Sequence, residues 1–523
     1  MTTTSTTLYR GGQVHSPADP GATALLVTGP AVSWVGTDAG APAADRTVEL
    51  AGALVTPAFV DAHVHATDTG LAVTGLDLSG TRSAGQLLAA VAGAAGRLPA
   101  GAVVLGHGWD ESTWEDPTPP DAAALDRAAG GRMVYAAQAS LHSAVCSAAL
   151  VPHAQGQPGF DPAGWQRREA HHAVRAVALG AVGPAQRAAA QRAALRRAAA
   201  LGIAAVHECG GPGISSESDF TGLLALAGDP DQPTPEVYGY WGELQAAAKA
   251  KELGAAGAGG DLFADGALGS RTAHLRAPYQ DGDGGAGHGY LSADQVRDHL
   301  LDCHAHDLPG GFHAIGDAAL ATVLAGFAAA AGKLGVEQLR SARHRIEHAE
   351  LVDRHLIAAM VEHGVIASAQ PAFDRLWGGE HQMYAQRLGT DRALAANPLG
   401  GMHSVGVALA FGSDSPVTPL DPWGSVRAAA WHHNPAHRVS VRAAFAAHTR
   451  GGWRAVGQDP HGVLTPGAPA TFAVWDTPAG REGTLPVLLA ADPQARGPHD
   501  PTPLPACRRT VLRGVTIYDA EGG

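Results

Sequence analysis

Cysteine is scarce in this sequence, with four residues among 523 and no CxxC pair. Four scattered cysteines do not make a disulfide framework. The opening stretch, 1–7, also lacks the basic and apolar blocks of a signal peptide. We therefore expect a reduced, cytoplasmic protein.

Basic residues are few as well. There are 36 Lys and Arg against 49 Asp and Glu, a net charge of −13, and only three are lysines: Lys249, Lys251 and Lys333. No basic stripe is present to hold phosphates, which argues against nucleic acid and anionic membranes as partners. Arg and Gly break the alanine-rich stretches, so no uninterrupted apolar run reaches membrane-spanning length. The partner we expect is a small-molecule substrate, and a homodimer is the oligomer considered.

Hydrophobic residues make up 45% of the chain and charged residues 16%, which indicates a globular protein. Short strand patterns occupy both of its ends. They lie at 8–10, 24–27, 31–36, 47–50, 470–476 and 509–518. Neither end has enough strands for a sheet of its own. We expect residues 1–56 and 457–523 to combine into one small β-sandwich.

Between these ends, strand and helix patterns alternate, as in a parallel α/β sheet or barrel. The strands are predicted near 57–65, 203–208, 235–241, 259–265, 310–314, 344–348, 365–370 and 407–413. Eight strands match a TIM-like (β/α)8 barrel, in which chemistry lies at the C-terminal strand ends. Residues 71–184 do not fit the alternation, so we expect an inserted lobe over the barrel mouth. The barrel would then comprise 57–70 and 185–456.

The first of these strands ends in a His-x-His pair, His63 and His65. Alternate residues of a strand face the same side, so two imidazoles about 7 Å apart could hold one divalent ion. With 27 histidines in the chain, chance alone produces roughly one such pair. A second pair, His304 and His306, ends a helical pattern, where such residues diverge, and we expect it on the surface.

Four other predicted strands also end in histidine or aspartate: Asp265 follows the fourth, His313 ends the fifth, His348 ends the sixth and Asp414 follows the eighth. A capping or core role would explain any one of them alone. Together with His63, they form a set of imidazoles and carboxylates suited to a metal ion.

Five stretches carry a resemblance to a known family. They are VDAHVH (60–65), FADGALGSRTA (263–273), HAIGD (313–317), HRIEHA (344–349) and GSDSPV (412–417). In this order they resemble the amidohydrolase superfamily, and more closely its YtcJ-like branch, amidohydrolase family 3. The resemblance runs nearly end to end, and it implies a (β/α)8 barrel flanked by a small β-sandwich.

The resemblance also implies the roles of five residues. His63, His65, His313 and His348 would be metal ligands, and Asp414 would be both ligand and proton-transfer base. Zinc is the expected ion, because water bound to it ionises near neutral pH. The predicted reaction is hydrolysis of a C–N bond, in an amide, N-acyl, N-formyl or cyclic amide compound, by water activated at the metal. A histidine not needed for the metal, His313 or His348, would polarise the attacked group.

One position departs from the family pattern. A lysine, carboxylated in many members to bridge two metals, usually stands four residues before the Asp-Gly of the second motif, and here that residue is Asp261. Its side chain is several atoms shorter, so we expect it not to reach the bridging point unless the strand shifts. A single metal is therefore favoured over a bridged pair. Glu208, at the end of the second strand, is a further candidate bridge or a supporting group.

The substrate itself is not evident from the sequence. Arg271, just beyond the fourth strand, and Trp109 and His142, in the inserted lobe, are candidate substrate-binding residues. For each of them, packing or loop anchoring is an equally good explanation.

Two other functions fit the same motifs. A mononuclear deaminase of an amino-heterocycle is weakened because His313 is followed by Asp317 where deaminases have His-x-x-Glu. A non-catalytic binding module is weakened because every expected His and Asp is present. Metal analysis separates the module from the enzymes, and ammonia release separates the deaminase from the amidase.

Overall fold

The computed structural model describes residues 5–111, 114–138, 143–281, 284–478, 481–482, 484–491 and 502–521, which form a mixed α/β structure. The strands are β1 (Thr6–Arg10), β2 (Gln13–Val14), β3 (Ala24–Thr28), β4 (Ala31–Gly36), β5 (Arg46–Glu49), β6 (Leu54–Pro57), β7 (Phe59–Val64), β8 (Leu76–Asp77), β9 (Val104–Trp109), β10 (Val134–Gln138), β11 (Ser143–Cys146), β12 (Trp165–Arg167), β13 (Ile203–Gly210), β14 (Glu236–Trp241), β15 (Gly257–Ala258), β16 (Gly311–Ala314), β17 (Arg345–His348), β18 (Ile366–Ala369), β19 (Ala408–Phe411), β20 (Phe472–Asp476), β21 (Arg481–Glu482), β22 (Leu485–Pro486), β23 (Ala506–Leu512) and β24 (Val515–Asp519).

The α-helices are α1 (Ala66–Thr74), α2 (Ala84–Arg97), α3 (Ala122–Ala129), α4 (Arg168–Gly180), α5 (Pro184–Ala200), α6 (Glu217–Ala227), α7 (Ala247–Glu252), α8 (Ala293–Ala305), α9 (Asp317–Leu334), α10 (Val336–Ala342), α11 (Arg354–His363), α12 (Pro371–Trp377), α13 (Met383–Leu388), α14 (Thr390–Leu394), α15 (Leu399–Ser404), α16 (Pro422–Ala430), α17 (Val441–Ala446) and α18 (Gly452–Ala455). Short 3₁₀ turns lie at Asp38–Gly40, Val151–Ala154 and Pro435–His437, and a π-turn lies at Ala447–Gly451.

Strands from the two ends of the chain share a sheet. In the order β2-β6-β20-β23-β24, the C-terminal β20 pairs antiparallel with the N-terminal β6. A second sheet, β4-β3-β1-β5, consists of N-terminal strands. One apolar core cluster holds residues from both ends, among them Tyr9, Val55, Phe472 and Val511. The rings of Tyr9 and Phe472 meet edge to face at 5.0 Å. Each end therefore buries apolar surface that the other would otherwise leave in water.

The strands that carry the candidate site residues form two four-stranded parallel sheets, β15-β14-β13-β7 and β16-β17-β18-β19. Isolated bridges join these sheets on both sides: Ala258 pairs with Gly310, and Val64 pairs with Ser415. The predicted fourth strand differs from the observed structure. β15 is only two residues long and ends before the predicted stretch, because Gly259 and Gly260 follow it with φ of 142° and 76°. Those angles suit glycine and interrupt a regular strand.

Helix α9 is long and apolar enough to cross a membrane by length and composition alone. It follows β16 and precedes β17 in the chain, and it buries apolar side chains such as Leu320, Val323 and Phe327. Such a helix is also typical of the core of an α/β protein, so this finding is weak evidence for a membrane.

Residues Ala66–Ala194 form a compact unit separate from the rest of the chain. Its sheet has the order β12-β11-β10-β9-β8. Its core includes Trp109, Leu125 and Val134. The sequence predicted a separate lobe at 71–184, so the compact unit is somewhat longer at both ends.

Candidate metal centre

Five candidate ligands lie at or just beyond the C-terminal ends of parallel strands. His63 is the next-to-last residue of β7, with its side chain fully buried, and His65 directly follows that strand with 14% of its side chain exposed. His313 lies on β16, His348 ends β17, and Asp414 follows β19, and all three are buried. The structure thus brings together residues that are up to 351 positions apart in the sequence.

Two carboxylates face the first histidine pair. Asp261 Oδ2 lies 3.4 Å from His63 Nε2 and 3.3 Å from His65 Nε2. Asp414 Oδ1 lies 3.4 Å and 3.2 Å from the same two nitrogens. Zinc bonds to nitrogen and oxygen of about 2.0–2.1 Å put tetrahedral ligand atoms roughly 3.3–3.4 Å apart. These four separations are close to that spacing, and His63, His65 and Asp261 form a group of donor atoms close enough to share an ion.

The other oxygen of Asp261 faces the second histidine pair. Its Oδ1 lies 3.4 Å from His313 Nδ1 and 3.7 Å from His348 Nε2. Asp261, His313 and His348 form a second group of donor atoms close enough to share an ion. Asp261 was expected not to reach the bridging point unless the strand shifted. The strand does end early, at Ala258, and the Asp261 carboxylate lies within 3.7 Å of a nitrogen of each of the four histidines.

The backbone before Asp261 explains this reach. A Cβ at Gly259 would lie 2.2 Å from Gly311 N on β16, a distance that no side chain tolerates. Gly259 and Gly260 therefore let the chain after β15 run very close to β16. This approach compensates for the short aspartate side chain.

A close contact also joins β7 to the end of β19. A Cβ at Gly412 would lie 2.5 Å from His63 N. Asp61 Oδ1 accepts a hydrogen bond from Ser413 N at 2.8 Å, and Asp414 N donates to His63 O at 2.8 Å. These contacts fix Asp414 relative to His63.

In three of the histidines, the second ring nitrogen lies within hydrogen-bond distance of a buried acceptor. His63 Nδ1 lies 2.9 Å from Glu347 Oε2, and His348 Nδ1 lies 2.8 Å from Gln370 Oε1. His65 Nδ1 lies 3.0 Å from the carbonyl oxygen of Cys209. A hydrogen bond at one ring nitrogen sets the tautomer, which leaves the other nitrogen as a lone-pair donor.

Electrostatics at the centre favour charged partners. Burial alone would lower the pKa of His63 and His65. Cys209, Asp261 and Asp414 instead raise the pKa of His63, and Asp261 and Asp414 raise that of His65, well above the usual range. Burial would raise the pKa of Asp261, and His63 and the other histidines hold it well below its usual range instead. The centre therefore carries anionic oxygens that attract a cation.

Three residues were predicted to bind substrate. Trp109 is fully buried, with an exposure of 0%, and its indole N–H donates a hydrogen bond to Ala136 O at 2.9 Å. This burial fits the packing role that the sequence left equally open for Trp109. Arg271 pairs with Asp281 at 2.8 Å and is partly exposed. His142 lies outside the described residues.

Glu208, the other candidate bridge, is buried on β13, but among the described residues it belongs to none of the donor groups that could share an ion.

Three residues around the centre were not singled out from the sequence. Arg345 and Glu347 lie in a motif that had been noted only for its histidines. Their spacing of two on a strand, which places both on one face, was the available signal. Asp61 had the same signal, two residues before His63.

Comparisons with known proteins agree with this geometry. A sequence profile described as the amidohydrolase family matches residues 46–518. YtcJ of Bacillus subtilis (strain 168), named as an amidohydrolase, is 26% identical over 521 residues, which cover 90% of each chain. The Arabidopsis thaliana protein LONG AFTER FAR-RED 3 is 26% identical over 469 residues, covering 82% of this chain and 79% of that protein.

A solved structure is also similar. The crystal structure of an uncharacterised metal-dependent hydrolase from Pyrococcus furiosus aligns with a TM-score of 0.75 at 24% identity. The alignment covers 92% of this chain and all of that one, and at this identity it shows a shared fold. The family profile covers most of the sequence and confirms the resemblance seen in the motifs: this chain belongs to the amidohydrolase family.

Proposed function

We propose that this protein is a metal-dependent hydrolase that cleaves a C–N bond in a small amide-type substrate. Amides, N-acyl and N-formyl compounds and cyclic amides are the candidate substrates. The observation that carries the proposal is the position of Asp261, whose two oxygens each face a pair of histidines at 3.3–3.7 Å. Family membership supports the reaction class.

Two zinc ions are the proposed complement of this centre. His63, His65, Asp414 and one oxygen of Asp261 would hold the first ion. His313, His348 and the other oxygen of Asp261 would hold the second. Imidazole and carboxylate are ligands that suit zinc. The expectation of a single ion depended on Asp261 being out of reach, and its position removes that reason.

When bound, the metal supplies a lowered water pKa and polarisation of the carbonyl group. Asp414 takes the proton as the water oxygen attacks the carbonyl carbon. The C–N bond then breaks, and Asp414 passes the proton to the departing nitrogen, as expected of a general acid–base. His348 is buried in one donor group with His63 and Asp414. In a centre with one ion it would not be a ligand and would instead orient the attacked group.

The same proposal extends to the architecture. We propose that β7, β13–β19 and their helices form a (β/α)8 barrel, because bridges join the two parallel sheets on both sides. The strands of 1–56 and 457–523 would form the flanking β-sandwich, and 71–184 would form an inserted lobe. A cytoplasmic location fits the scarcity of cysteine.

A substrate panel with metal analysis tests the function. Purified protein is assayed with N-acyl, N-formyl and cyclic amides and with amino-heterocycles, while zinc per chain is measured. Amine or carboxylate release supports the proposal, and ammonia release from heterocycles alone would support the deaminase instead. Protein without tightly bound zinc and without turnover would support the binding module.

Matched histidine variants make the test specific. His63→Ala and His65→Ala should each lose zinc and activity while remaining folded, because one ligand is missing from the shell. His304→Ala, at the exposed first histidine of the second His-x-His pair, is the control and should keep both zinc and activity. Full zinc occupancy in His63→Ala would contradict the assignment of the centre.

A further inference from the structure

A fully buried ion pair lies behind the metal centre. Arg345 and Glu347 are both 0% exposed and lie two residues apart on β17. Arg345 Nε lies 2.5 Å from Glu347 Oε1, and its Nη2 donates to Oε2 at 2.7 Å. The hydrogen bond from Nη2 and the ion-pair contact at Nε together hold the Glu347 carboxylate against the guanidinium.

Other strands hold the guanidinium of Arg345 in place. It donates to Ser368 Oγ on β18 at 2.6 Å and to His207 Nδ1 on β13 at 2.9 Å. The guanidinium also lies over the ring of Tyr240 on β14, with its central carbon 4.6 Å from the ring centroid. Its Nη2 also donates to the carbonyl oxygen of Ala62 on β7 at 2.5 Å. Contacts with β7, β13, β14 and β18 therefore hold Arg345 in place, and Arg345 in turn holds Glu347.

Burying a charged pair is costly, and it is weak evidence for added stability. The pair does make one contact that apolar residues could not. Glu347 Oε2 accepts the Nδ1 hydrogen bond of His63 at 2.9 Å. The corresponding acceptors for His65 and His348 are neutral, a backbone carbonyl and the Gln370 amide. Among these three histidines, His63 is the one that has an anionic partner.

The geometry points to Glu347 and Arg345 as positioning residues for the metal centre. Arg345 holds Glu347, and Glu347 keeps the proton of His63 on Nδ1, so that Nε2 presents its lone pair toward Asp261 and Asp414. An anionic acceptor also makes the imidazole a stronger donor. This inference rests on the proposed function, since it requires His63 to be a metal ligand.

The test measures metal affinity and folding stability separately on the full-length protein. Zinc affinity is measured by competition with a chelator, cobalt binding by its visible absorption, and stability by urea unfolding. In Glu347→Gln, we expect zinc affinity to fall roughly 10- to 100-fold, as for other losses of such a partner. The cobalt spectrum should change too, because the donor strength of His63 changes.

Glu347→Gln leaves Arg345 buried without its carboxylate and could unfold the protein for that reason alone. The double variant Arg345→Met with Glu347→Gln removes both charges and should be folded. If Glu347 positions His63, the double variant regains stability but still binds zinc weakly. If the pair is merely structural, the double variant regains both stability and zinc affinity, which would overturn the inference.

Ser368→Ala is the matched control within the same network. It removes a neutral partner of Arg345 and leaves the Glu347–His63 hydrogen bond intact, so zinc affinity should stay within about threefold of the parent. His63→Ala separates a failure of the proposed metal centre from a failure of the positioning role alone. If His63→Ala keeps its zinc, the proposed centre fails. If His63→Ala loses zinc while folded Glu347→Gln binds it as tightly as the parent, only the positioning role fails.

Discussion

One added methyl group should be enough to disturb the candidate centre. Gly412 lies directly before Ser413 and Asp414, and its backbone runs against β7. A Cβ built there lies 2.5 Å from His63 N and 2.9 Å from Asp61 Oδ1. The contacted nitrogen belongs to the backbone, so it cannot rotate away as a flexible side chain would. In Gly412→Ala, β7 and the end of β19 must therefore move apart.

The size of the effect follows from these distances. Real Cβ atoms essentially never come closer than 3.0 Å to such a neighbour, so the two backbones must separate by at least about 0.5 Å. Overpacking of this kind costs roughly 1–3 kcal/mol of unfolding free energy. The same movement carries Asp414 away from His63 and His65. We expect zinc affinity and activity to fall by roughly tenfold or more, as when supporting contacts of a metal ligand are lost.

Urea unfolding and chelator competition measure the two effects. Gly222→Ala, in the middle of α6, is the control, because nothing lies within 4 Å of its added Cβ. Alanine at that helical site should be neutral or stabilising by roughly 0.5–1 kcal/mol. If Gly412→Ala unfolds and binds zinc like the parent, then the close approach of β7 and β19 does not set the geometry of the centre.

Three further predictions address the ions, the pH dependence and the paired chain ends. Asp261→Asn should lower the zinc content to about one ion per chain or less and should impair activity as severely as Asp414→Asn. If the parent protein holds one ion and Asp261→Asn is nearly fully active, the centre binds a single ion instead. Burial lowers the pKa of His448 from its usual 6.5 to about 4, so the ring is neutral in the folded protein at neutral pH. As the pH falls from 6.5 towards 4, the unfolded chain takes up a proton before the folded one does. The free energy of unfolding therefore falls over this range by up to about 3 kcal/mol. Thermal unfolding should therefore show a smaller loss of stability over this range in His448→Gln than in the parent, and equal losses would refute the assignment. Deleting the chain from Gly457 removes β20, the partner of β6, and should yield insoluble protein because a strand edge is exposed. Phe472→Ala should instead be soluble, with a free energy of unfolding lower by roughly 3–5 kcal/mol in urea unfolding.

The positions of the candidate ligands could be predicted from the sequence because strand ends and polar residues coincide there. His313 and His348 each end an apolar run, and a parallel α/β arrangement brings such ends to one edge. The distance between two backbone segments that are far apart in the sequence cannot be predicted in the same way. Whether Asp261 reaches the histidines depends on how near Gly259 runs to β16, which no local pattern encodes.

Trp109 shows a second limit of sequence reasoning. A tryptophan followed by Asp110 and Glu111 in a polar, broken stretch is compatible with a binding loop. Its burial depends on partners far along the chain, such as Trp165, whose ring centroid lies 6.0 Å away. Arg345 and Glu347 were overlooked for the opposite reason. Charged residues in a buried strand look unfavourable until the structure pairs them.

Asp261 and the glycines before it are best understood as one feature. A lysine at this position would reach the histidines with a long side chain and would need no unusual backbone. Aspartate has a single methylene, so the backbone itself must bring the carboxylate between the histidine pairs. Gly259 and Gly260 allow that, because their φ values of 142° and 76° and the lack of a Cβ permit contact with β16. The shorter side chain also has fewer rotatable bonds to order, so less conformational entropy is lost in holding its two oxygens in place. The departure from the family pattern at Asp261 is therefore consistent with a metal centre, provided that the backbone beside it remains free of side chains.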